Sequence, residues 1–420
     1  MTFPALADLL ASLHRWPDVE APELVAVDGA DRLLLDELAA LLEGGSGRGD
    51  GGIVVLDDAY GALTLGASTL VDAPVRVWQD SIVAERALDA NARRAGLADR
   101  VVRSGPATAD GPGTTAARSA DGAPTEPTPP PARPAGGLVP TPTLAGASVV
   151  LVRLPRGLDA LAELAESVAR DAGPDVVVLA GGMVKHMTPA MNDVLGRSFS
   201  DVHATRGRYK ARVLVARGPR PGVVPSFPVA ADVPDAGLTV WAHGATFAGA
   251  RLDRGTRALL DGLGGAGADG WGGADPRVVL DLGCGTGILA TRAALALPAA
   301  RVVATDRSAS AVASARRTAD AAGAGDRVDV LRDDVASRVP DGSVDLVLCN
   351  PPFHVGSAVH TGAASKMFAA AARVLRPGGE LWTVWNSHLR YRAELQRVVG
   401  PTVQVSRDRT FTVTRSVRPL

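Results

Sequence analysis

Residues Asn350-Pro351-Pro352-Phe353-His354, at the end of the apolar run Val344 to Cys349, combine side chains that could grip an amine on a flat ring. The run is broken only by Asp345 and reads as a buried strand. Two consecutive prolines remove two backbone donors and hold the residues before them extended, so Asn350 is fixed at the mouth of a sheet. Its carboxamide offers a carbonyl acceptor, and the Pro351 carbonyl has no neighbouring amide competing for it. Those two acceptors can take hydrogen bonds from an exocyclic amino group, while Phe353 gives a planar ring an apolar face to stack on. The chemistry is modification of an amine on a planar substrate. Alone, the stretch also reads as a proline-rich turn that merely stops a strand.

A second stretch specifies the modification. Val278-Val279-Leu280-Asp281-Leu282-Gly283-Cys284-Gly285-Thr286-Gly287-Ile288 is a short apolar run, an acid, three alternate glycines and the start of a helical pattern. That is a strand, a tight turn and a helix N-terminus, by which a doubly wound sheet lets a cofactor approach the backbone. The dinucleotide pattern G-x-G-x-x-G differs, because Ile288 follows and no further glycine does. Arg301 to Thr305 forms a second strand ending in Asp306, an acid suited to a ribose hydroxyl pair. In this order and spacing the residues resemble the class I methyltransferases that use S-adenosylmethionine. The resemblance implies that Asp281, Gly283, Gly285 and Gly287 lie under the methionine part and that Asp306 holds the ribose. Val328 to Leu331 reads as the third strand; Asp333 or Asp334 after it is placed to meet the adenine amino group, with Asp334 favoured as one residue further into the loop.

Composition bounds the rest. At 420 residues two domains are expected, and 46% hydrophobic content allows full cores. Mean hydropathy is +0.12, and no apolar run approaches the ~18 residues of a membrane span. Met1 to Leu10 lacks the basic start of a secretory signal. Cys284 and Cys349, far apart, argue against a disulfide framework and fit a reducing cytosol. The net charge of −1 is uneven: Asp235 to Leu420 holds 22 Lys or Arg against 17 Asp or Glu, hence +5, leaving −6 upstream. Seven arginines in the last 31 residues would suit a phosphate backbone or an ordinary solvated face.

The elements that must position these residues are written twice. Two helical patterns precede Ile53-Val54-Val55-Leu56-Asp57-Asp58-Ala59-Tyr60-Gly61, which lies where a first strand and turn should be. Val75 to Trp78 then leads to Asp80, and Ser148 to Leu154 ends at Pro155. Asp57 is paired by spacing with Asp281, Asp80 with Asp306, and Leu154-Pro155 with Pro351-Pro352. The first copy has a single glycine, Gly61, and Arg153 or Leu154 where the second has Asn350, so it is expected to bind no S-adenosylmethionine. Ser104 to Ala145 is rich in Pro, Ala, Thr and Gly with scarcely any large apolar residue, which predicts a disordered insertion. Lys185 and His186 sit in a glycine-led loop, and Arg206, Arg208, Lys210 and Arg212 cluster nearby; one His without a partner makes no metal site. Phe247 to Leu260 predicts a loop and a helix starting near Asp253 that packs over the cofactor cleft. Strands are expected over 406–413 and 414–418.

The whole chain then resembles the bacterial ribosomal RNA guanine-N2 methyltransferases of the RsmC and RlmG type. The carrying residues are Asn350 to His354, Phe247 to Leu260, Asp306-Arg307-Ser308 with Ala311-Val312-Ala313-Ser314, and Asn386-Ser387-His388-Leu389. Asp57 to Leu63 and Tyr209-Lys210-Ala211-Arg212 look more like the large-subunit (23S) enzyme than the small-subunit one. The resemblance implies an α/β fold of two tandem class I methyltransferase-like (Rossmann-like) domains. Residues 1–225 would be a degenerate domain that acts as an RNA platform, and 235–420 the catalytic one. It further implies S-adenosyl-L-methionine as cofactor, ribosomal RNA or a ribosomal subunit as partner in the cytoplasm, no metal, and Asn350, Pro351, Pro352 and Phe353 as the catalytic set. Asn-Pro-Pro with an aromatic also serves enzymes that methylate protein glutamine amides or DNA adenine N6. An RNA-binding scaffold that merely kept the fold would have no chemical reason to hold both the glycines and Asn350.

Overall fold

The computed structural model describes residues 6–21, 24–45, 52–103, 137–265, 271, 275–352 and 362–420. In the first half, β1 (Ile53–Leu56), β2 (Val75–Trp78), β3 (Val101–Arg103), β4 (Val149–Arg153), β5 (Val177–Met183), β6 (Phe199–Ala204) and β7 (Ala211–Pro219) form one sheet in the order β3-β2-β1-β4-β5-β7-β6. A hairpin of β8 (Val229–Val233) and β9 (Leu238–Ala242) follows. The second half repeats the first sheet with β10 (Val278–Leu282), β11 (Arg301–Asp306), β12 (Val328–Arg332), β13 (Val344–Cys349), β14 (Leu375–Asn386), β15 (Thr402–Arg407) and β16 (Phe411–Val417), in the order β12-β11-β10-β13-β14-β16-β15. In each sheet only the last two strands in chain order run antiparallel to their neighbours.

Helices cover both faces. The first half contributes α1 (Leu6–Ala11), α2 (Gly29–Glu43), α3 (Ala62–Leu70), α4 (Ile82–Ala95), α5 (Thr141–Leu144), α6 (Leu158–Asp171) and α7 (Ala190–Ser198). The second contributes α8 (Arg254–Gly265), α9 (Ile288–Ala296), α10 (Ala309–Ala321), α11 (Gly362–Val374) and α12 (Arg392–Val398). Because both faces are covered, the central strands are continuous apolar runs rather than alternating ones. All of Ile53 to Leu56 is buried, as are Leu280, Leu282, Leu346 and Leu348. Among the described residues two large buried clusters per half, one on each face of its sheet, make the core, and a small fifth cluster packs the hairpin of β8 and β9 against Ile288.

Strand register corrects the pairing of acids made by spacing. Leu56 pairs with Trp78 and Val152, and Leu282 with Thr305 and Cys349. The next residue's amide then donates to the same partner, Asp57 to Trp78 and Gly283 to Thr305. Asp57 therefore stands at the place of Gly283, and both have positive φ (58° and 82°). Val55 stands at the place of Asp281, Gln79 at that of Asp306, and Arg153 at that of Asn350.

Three further expectations change. The insertion does not reach Ala145, because Val139 and Leu144 are fully buried and α5 packs against α6; residues 104–136 lie outside the described residues. The last two strands are β15 and β16, separated by a turn in which Asp408 Oδ1 accepts the amides of Thr410 and Phe411. The hairpin of β8 and β9 was not anticipated; β9 lies along α10, and Trp241 N donates to Thr318 Oγ1 (3.0 Å).

Candidate active site

The glycine turn joins β10 to α9. Gly283, Gly285 and Gly287 all lie in the left-handed region (φ 82°, 53° and 77°), which side-chain-bearing residues rarely adopt. Their surroundings differ. A Cβ at 285 would meet nothing within 4 Å, so this backbone faces open space. A Cβ at 287 would lie 2.8 Å from Ala315, so this glycine is required by the packing of α9 on α10. One position is open for a ligand and the other holds the two helices together.

Asp281 comes from inside β10 and is 1% exposed. Its Oδ2 accepts the Ala290 amide in the first turn of α9 (2.9 Å), while Oδ1 has no hydrogen-bond partner among the described residues. Burial pushes this carboxyl up to about 7. A buried acid with an unused oxygen beside an open glycine fits a cationic, hydrogen-bonding group such as the methionine end of S-adenosylmethionine. Asp306, at the tip of β11, accepts from Gly285 N (3.0 Å) and Ser308 N (2.9 Å), and burial raises it as well. The carboxylate is thus oriented by the turn it would share with a ribose.

The two acids after β12 have different work. Asp333 is buried and its oxygens take the Asp334 amide, the Ser337 hydroxyl and the Arg338 amide. It shapes the turn. Asp334 is also largely buried but has fewer internal partners: one of its oxygens pairs with Lys366 of α11 (2.7 Å), which leaves it freer than Asp333 to meet a ligand. Lys366 carried no signal in the sequence beyond being one of three lysines.

Asn350 follows β13 as expected, with Pro351 buried and Pro352 exposed. Its Nδ2 donates to Asp253 Oδ2 (3.0 Å) and to Thr256 Oγ1 (3.1 Å). Asp253 also caps α8, accepting from Gly255 N (2.9 Å) and Thr256 N (3.2 Å). Both donor hydrogens of the carboxamide are thereby used within the protein, and among the described residues Oδ1 is left as an acceptor. Gly255 lets α8 come this close, since a Cβ there would be 3.0 Å from Asn350 Oδ1. A helix start near Asp253 was legible in the sequence; its grip on Asn350 across 97 positions was not. Phe353 and His354 lie outside the described residues. Cys284 and Cys349 are free and buried beside the turn and under Asn350, and burial raises both thiols, which makes them small apolar residues rather than nucleophiles.

Among the described residues no group of three or more His, Cys, Asp or Glu could hold a metal, and no helix is long and apolar enough to cross a membrane.

The methyltransferase small domain family matches residues 237–415, and the RLMG N-terminal domain family matches 1–117 and 138–220. The ribosomal RNA large subunit methyltransferase G of Streptomyces avermitilis is 34% identical over 421 residues, covering 97% of each chain. That of Pseudomonas aeruginosa is 34% identical over 413 residues, covering 96% of each. Among solved structures, the T. thermophilus 16S rRNA N2 G1207 methyltransferase (RsmC), in complex with AdoMet and guanosine, superposes with a TM-score of 0.68 at 19% identity, covering 95% of this chain and 97% of that one. Its likeness is one of fold, and the expected architecture of two tandem Rossmann-like domains is the observed one. With both halves matched and a third of its residues shared end to end with these relatives, the chain belongs to the bacterial ribosomal RNA guanine-N2 methyltransferases of the RsmC and RlmG type, on the large-subunit side.

Proposed function

We propose that this protein transfers a methyl group from S-adenosyl-L-methionine to N2 of a guanine in large-subunit ribosomal RNA. The observation that carries the reading is the fixed carboxamide of Asn350. Its donors are consumed by Asp253 and Thr256, and its acceptor is left beside a glycine turn with open space at Gly285. The cofactor, when bound, supplies an electrophilic methyl group. Asp281 would hold its methionine end, Asp306 the ribose and Asp334 the adenine amino group.

The remaining work belongs to the substrate side. A guanine in a stacked helix does not expose N2 to an enclosed site, so the base is swung out, and Phe353 stacks on it. Asn350 Oδ1 and the Pro351 carbonyl accept hydrogen bonds from N2 and turn its lone pair toward the methyl group. Positioning supplies most of the acceleration. An aromatic amine gains acidity as it is alkylated, so no strong base is needed, and the proton leaves to water or past Asn350 after transfer.

In this reading 235–420 is the catalytic domain and 1–225 a domain without cofactor that grips RNA in the cytoplasm. Lys185, Arg206, Arg208, Lys210 and Arg212, all exposed and with Arg208 also paired with Asp36, form a cluster in the first half that suits a phosphate backbone. The test is transfer of labelled methyl from S-adenosylmethionine to purified ribosomal RNAs of both subunits, followed by nucleoside analysis. N2-methylguanosine in the large-subunit RNA is expected. The same nucleoside in the small-subunit RNA would correct the subunit. Cofactor binding without label in either RNA would overturn the reading in favour of a protein amide substrate.

A further inference from the structure

The two halves meet around an approximate local dyad. Ser81 and Ser308, each the residue before the helix that links the second and third strands of its half (α4 and α10), face one another in an antiparallel bridge. Ile82 N donates to Arg307 O (2.9 Å), and Ala309 N donates to Asp80 O (2.8 Å). The reciprocity stops at the side chains. Asp80 Oδ1 accepts from Ser310 N (2.8 Å) and Ser310 Oγ (2.7 Å), capping α10 from outside its own half. Arg332 crosses in the other direction and is 7% exposed. Its Nη1 binds Glu85 Oε2 (2.9 Å), Nη2 donates to Gln79 O (2.8 Å) and Asp80 O (3.1 Å), and Nε donates to Asp80 O (3.2 Å).

These contacts fall on two short loops. Within four positions after Asp306 come Arg307, Ser308, Ala309 and Ser310, all held from the first half. Arg332 pairs with Asp306 in the sheet and precedes Asp333 and Asp334. Asp333 N donates to Asp306 O (2.9 Å), which ties the two loops together, and Arg86 reaches Asp333 at 3.6 Å. Each of the two acids assigned to the ribose and the adenine therefore sits within two residues of a group anchored in the other half. A buried guanidinium needs several acceptors at fixed angles, and the acceptors that Arg332 uses come from the segment 79–85.

Resting on the cofactor assignment above, we propose that Arg332, with Glu85 and Asp80, is a positioning residue through which the cofactor-free half sets the shape of the adenosine end of the cofactor pocket. The first half then does more than grip RNA. It helps to complete a binding site built by the other half.

The interface contains a second contact, and it supplies the control. Glu163 of α6 is buried against the linker, with Oε1 2.6 Å from His243 Nδ1 and Oε2 accepting Gly244 N (2.7 Å). That contact leads to Ser314 in the middle of α10, whose hydroxyl donates back to Ser310 O (2.6 Å), and it makes no direct hydrogen bond to Asp306, Asp333 or Asp334. The experiment is calorimetric titration of S-adenosylmethionine into the full chain and into its Arg332→Lys, Glu85→Gln and Glu163→Gln variants. Steady-state KM for cofactor and for RNA is measured in parallel. A lysine keeps the charge but presents one nitrogen where three are used.

The expected result for Arg332→Lys is a cofactor dissociation constant raised about tenfold or more, by analogy with the loss seen when groups orienting a first contact are removed. Glu85→Gln should give a smaller rise in the same direction. In both, KM for cofactor rises while KM for RNA stays within about twofold. Glu163→Gln should lower the melting temperature and leave cofactor affinity unchanged. Wild-type affinity in both Arg332→Lys and Glu85→Gln would overturn the proposal, whatever their melting temperatures. So would an equal loss of affinity in Glu163→Gln, which would reduce the effect to general loosening. If the unmodified chain binds no S-adenosylmethionine, the cofactor assignment itself fails, and the two failures are told apart in the first titration.

Discussion

The two halves share strand order, but their strand tips are built for opposite ends. In the second half the turn after β10 is glycine at its first, third and fifth positions, and the space beside Gly285 is open. In the first half the same five positions are Asp57, Asp58, Ala59, Tyr60 and Gly61. Asp57 adopts the left-handed conformation without being glycine, and the Asp58 carboxylate folds back on Gly61 N (3.1 Å) and Thr64 N (2.7 Å). Tyr60 is tied down by Asp18 (2.8 Å), by Asn91 on its carbonyl and by the Arg15 guanidinium 4.5 Å from its ring centre. The helix terminus that would meet a ligand is capped by the protein's own side chains.

The tip of the fourth strand makes the same point more sharply. Asn350 is held by Asp253 and Thr256, the cap and third residue of α8. Arg153, at the equivalent place, is held by Asp28 and Asp31, the cap and third residue of α2. The scaffold grips the residue at this tip from the same two positions in both halves. What differs is what is left over: a carboxamide keeps a free acceptor, whereas a guanidinium has none to offer. A fold can be retained by its packing while one substitution at a strand tip removes its chemistry.

Asn350→Ala should break the comparison most. We expect kcat to fall by about 10³-fold, the scale of losing one aimed hydrogen-bonding group at a reacting centre, with cofactor affinity nearly unchanged. The reciprocal Arg153→Asn should gain no activity, because the first half lacks an open turn. Asp253→Ala, which frees the Asn350 donors, should cost about 10- to 100-fold in kcat through misplacement alone. Single-turnover assays on the ribosomal RNA substrate separate these cases. A kcat of wild-type size in Asn350→Ala would remove the distinction between the two tips.

The first half answers in stability instead. Asp31 is almost fully buried, and burial raises its carboxyl to about 6 against the pull of Arg153. Arg153→Met leaves two acids facing each other without their cation and should cost about 3 kcal/mol, the lower end for breaking a buried pair, because Asp31 can take up a proton. Thermal unfolding at pH 7 reads this, and methyl transfer per folded molecule should not change. Smaller again is Gly287→Ala, about 2 kcal/mol from forcing a Cβ against Ala315 in a left-handed backbone. Gly285→Ala carries only the backbone part, about 1 kcal/mol, and should show its effect as lost cofactor affinity.

Much of this was legible in the residues themselves. Strand, turn, helix and the Asn-Pro-Pro tip are local signals, each written within about a dozen positions. The misreadings were non-local. Asp57 and Asp281 look equivalent when positions are counted, but the connection from β1 to β2 is one residue shorter than that from β10 to β11, and strand pairing decides the register. Val139 and Leu144 stand as isolated apolar residues in a proline-rich tract, and only tertiary contact shows that they belong to the core. Arg332 reads as an ordinary cation at a strand end. Its partners lie some 250 positions upstream, beyond the reach of any periodicity.

A further effect, comparable in size to the glycine substitutions, concerns pH and sharpens the contrast between Asp281 and Val55, which share a place in the two sheets. The Asp281 carboxyl is raised from 3.8 to about 7 by burial. Below about pH 4 it is protonated in the folded and unfolded chains alike and costs nothing. Between pH 4 and 7 the unfolded chain releases this proton while the folded chain keeps it, so its contribution to stability declines as pH rises and is constant above 7. Asp281→Asn removes that decline. The ligand-free variant should therefore be more stable than the parent at pH 8, by roughly 1 to 2 kcal/mol once water in the open cleft is allowed for, and equal to it near pH 4. Cofactor binding runs the other way: a cation beside Asp281 favours the carboxylate, so affinity should weaken below pH 7, by at most about tenfold per unit. Calorimetry in two buffers of different ionisation enthalpy would show proton release on binding by the parent and none by Asp281→Asn. Equal proton release in both would place the titrating group elsewhere, with Asp306 the next to be replaced.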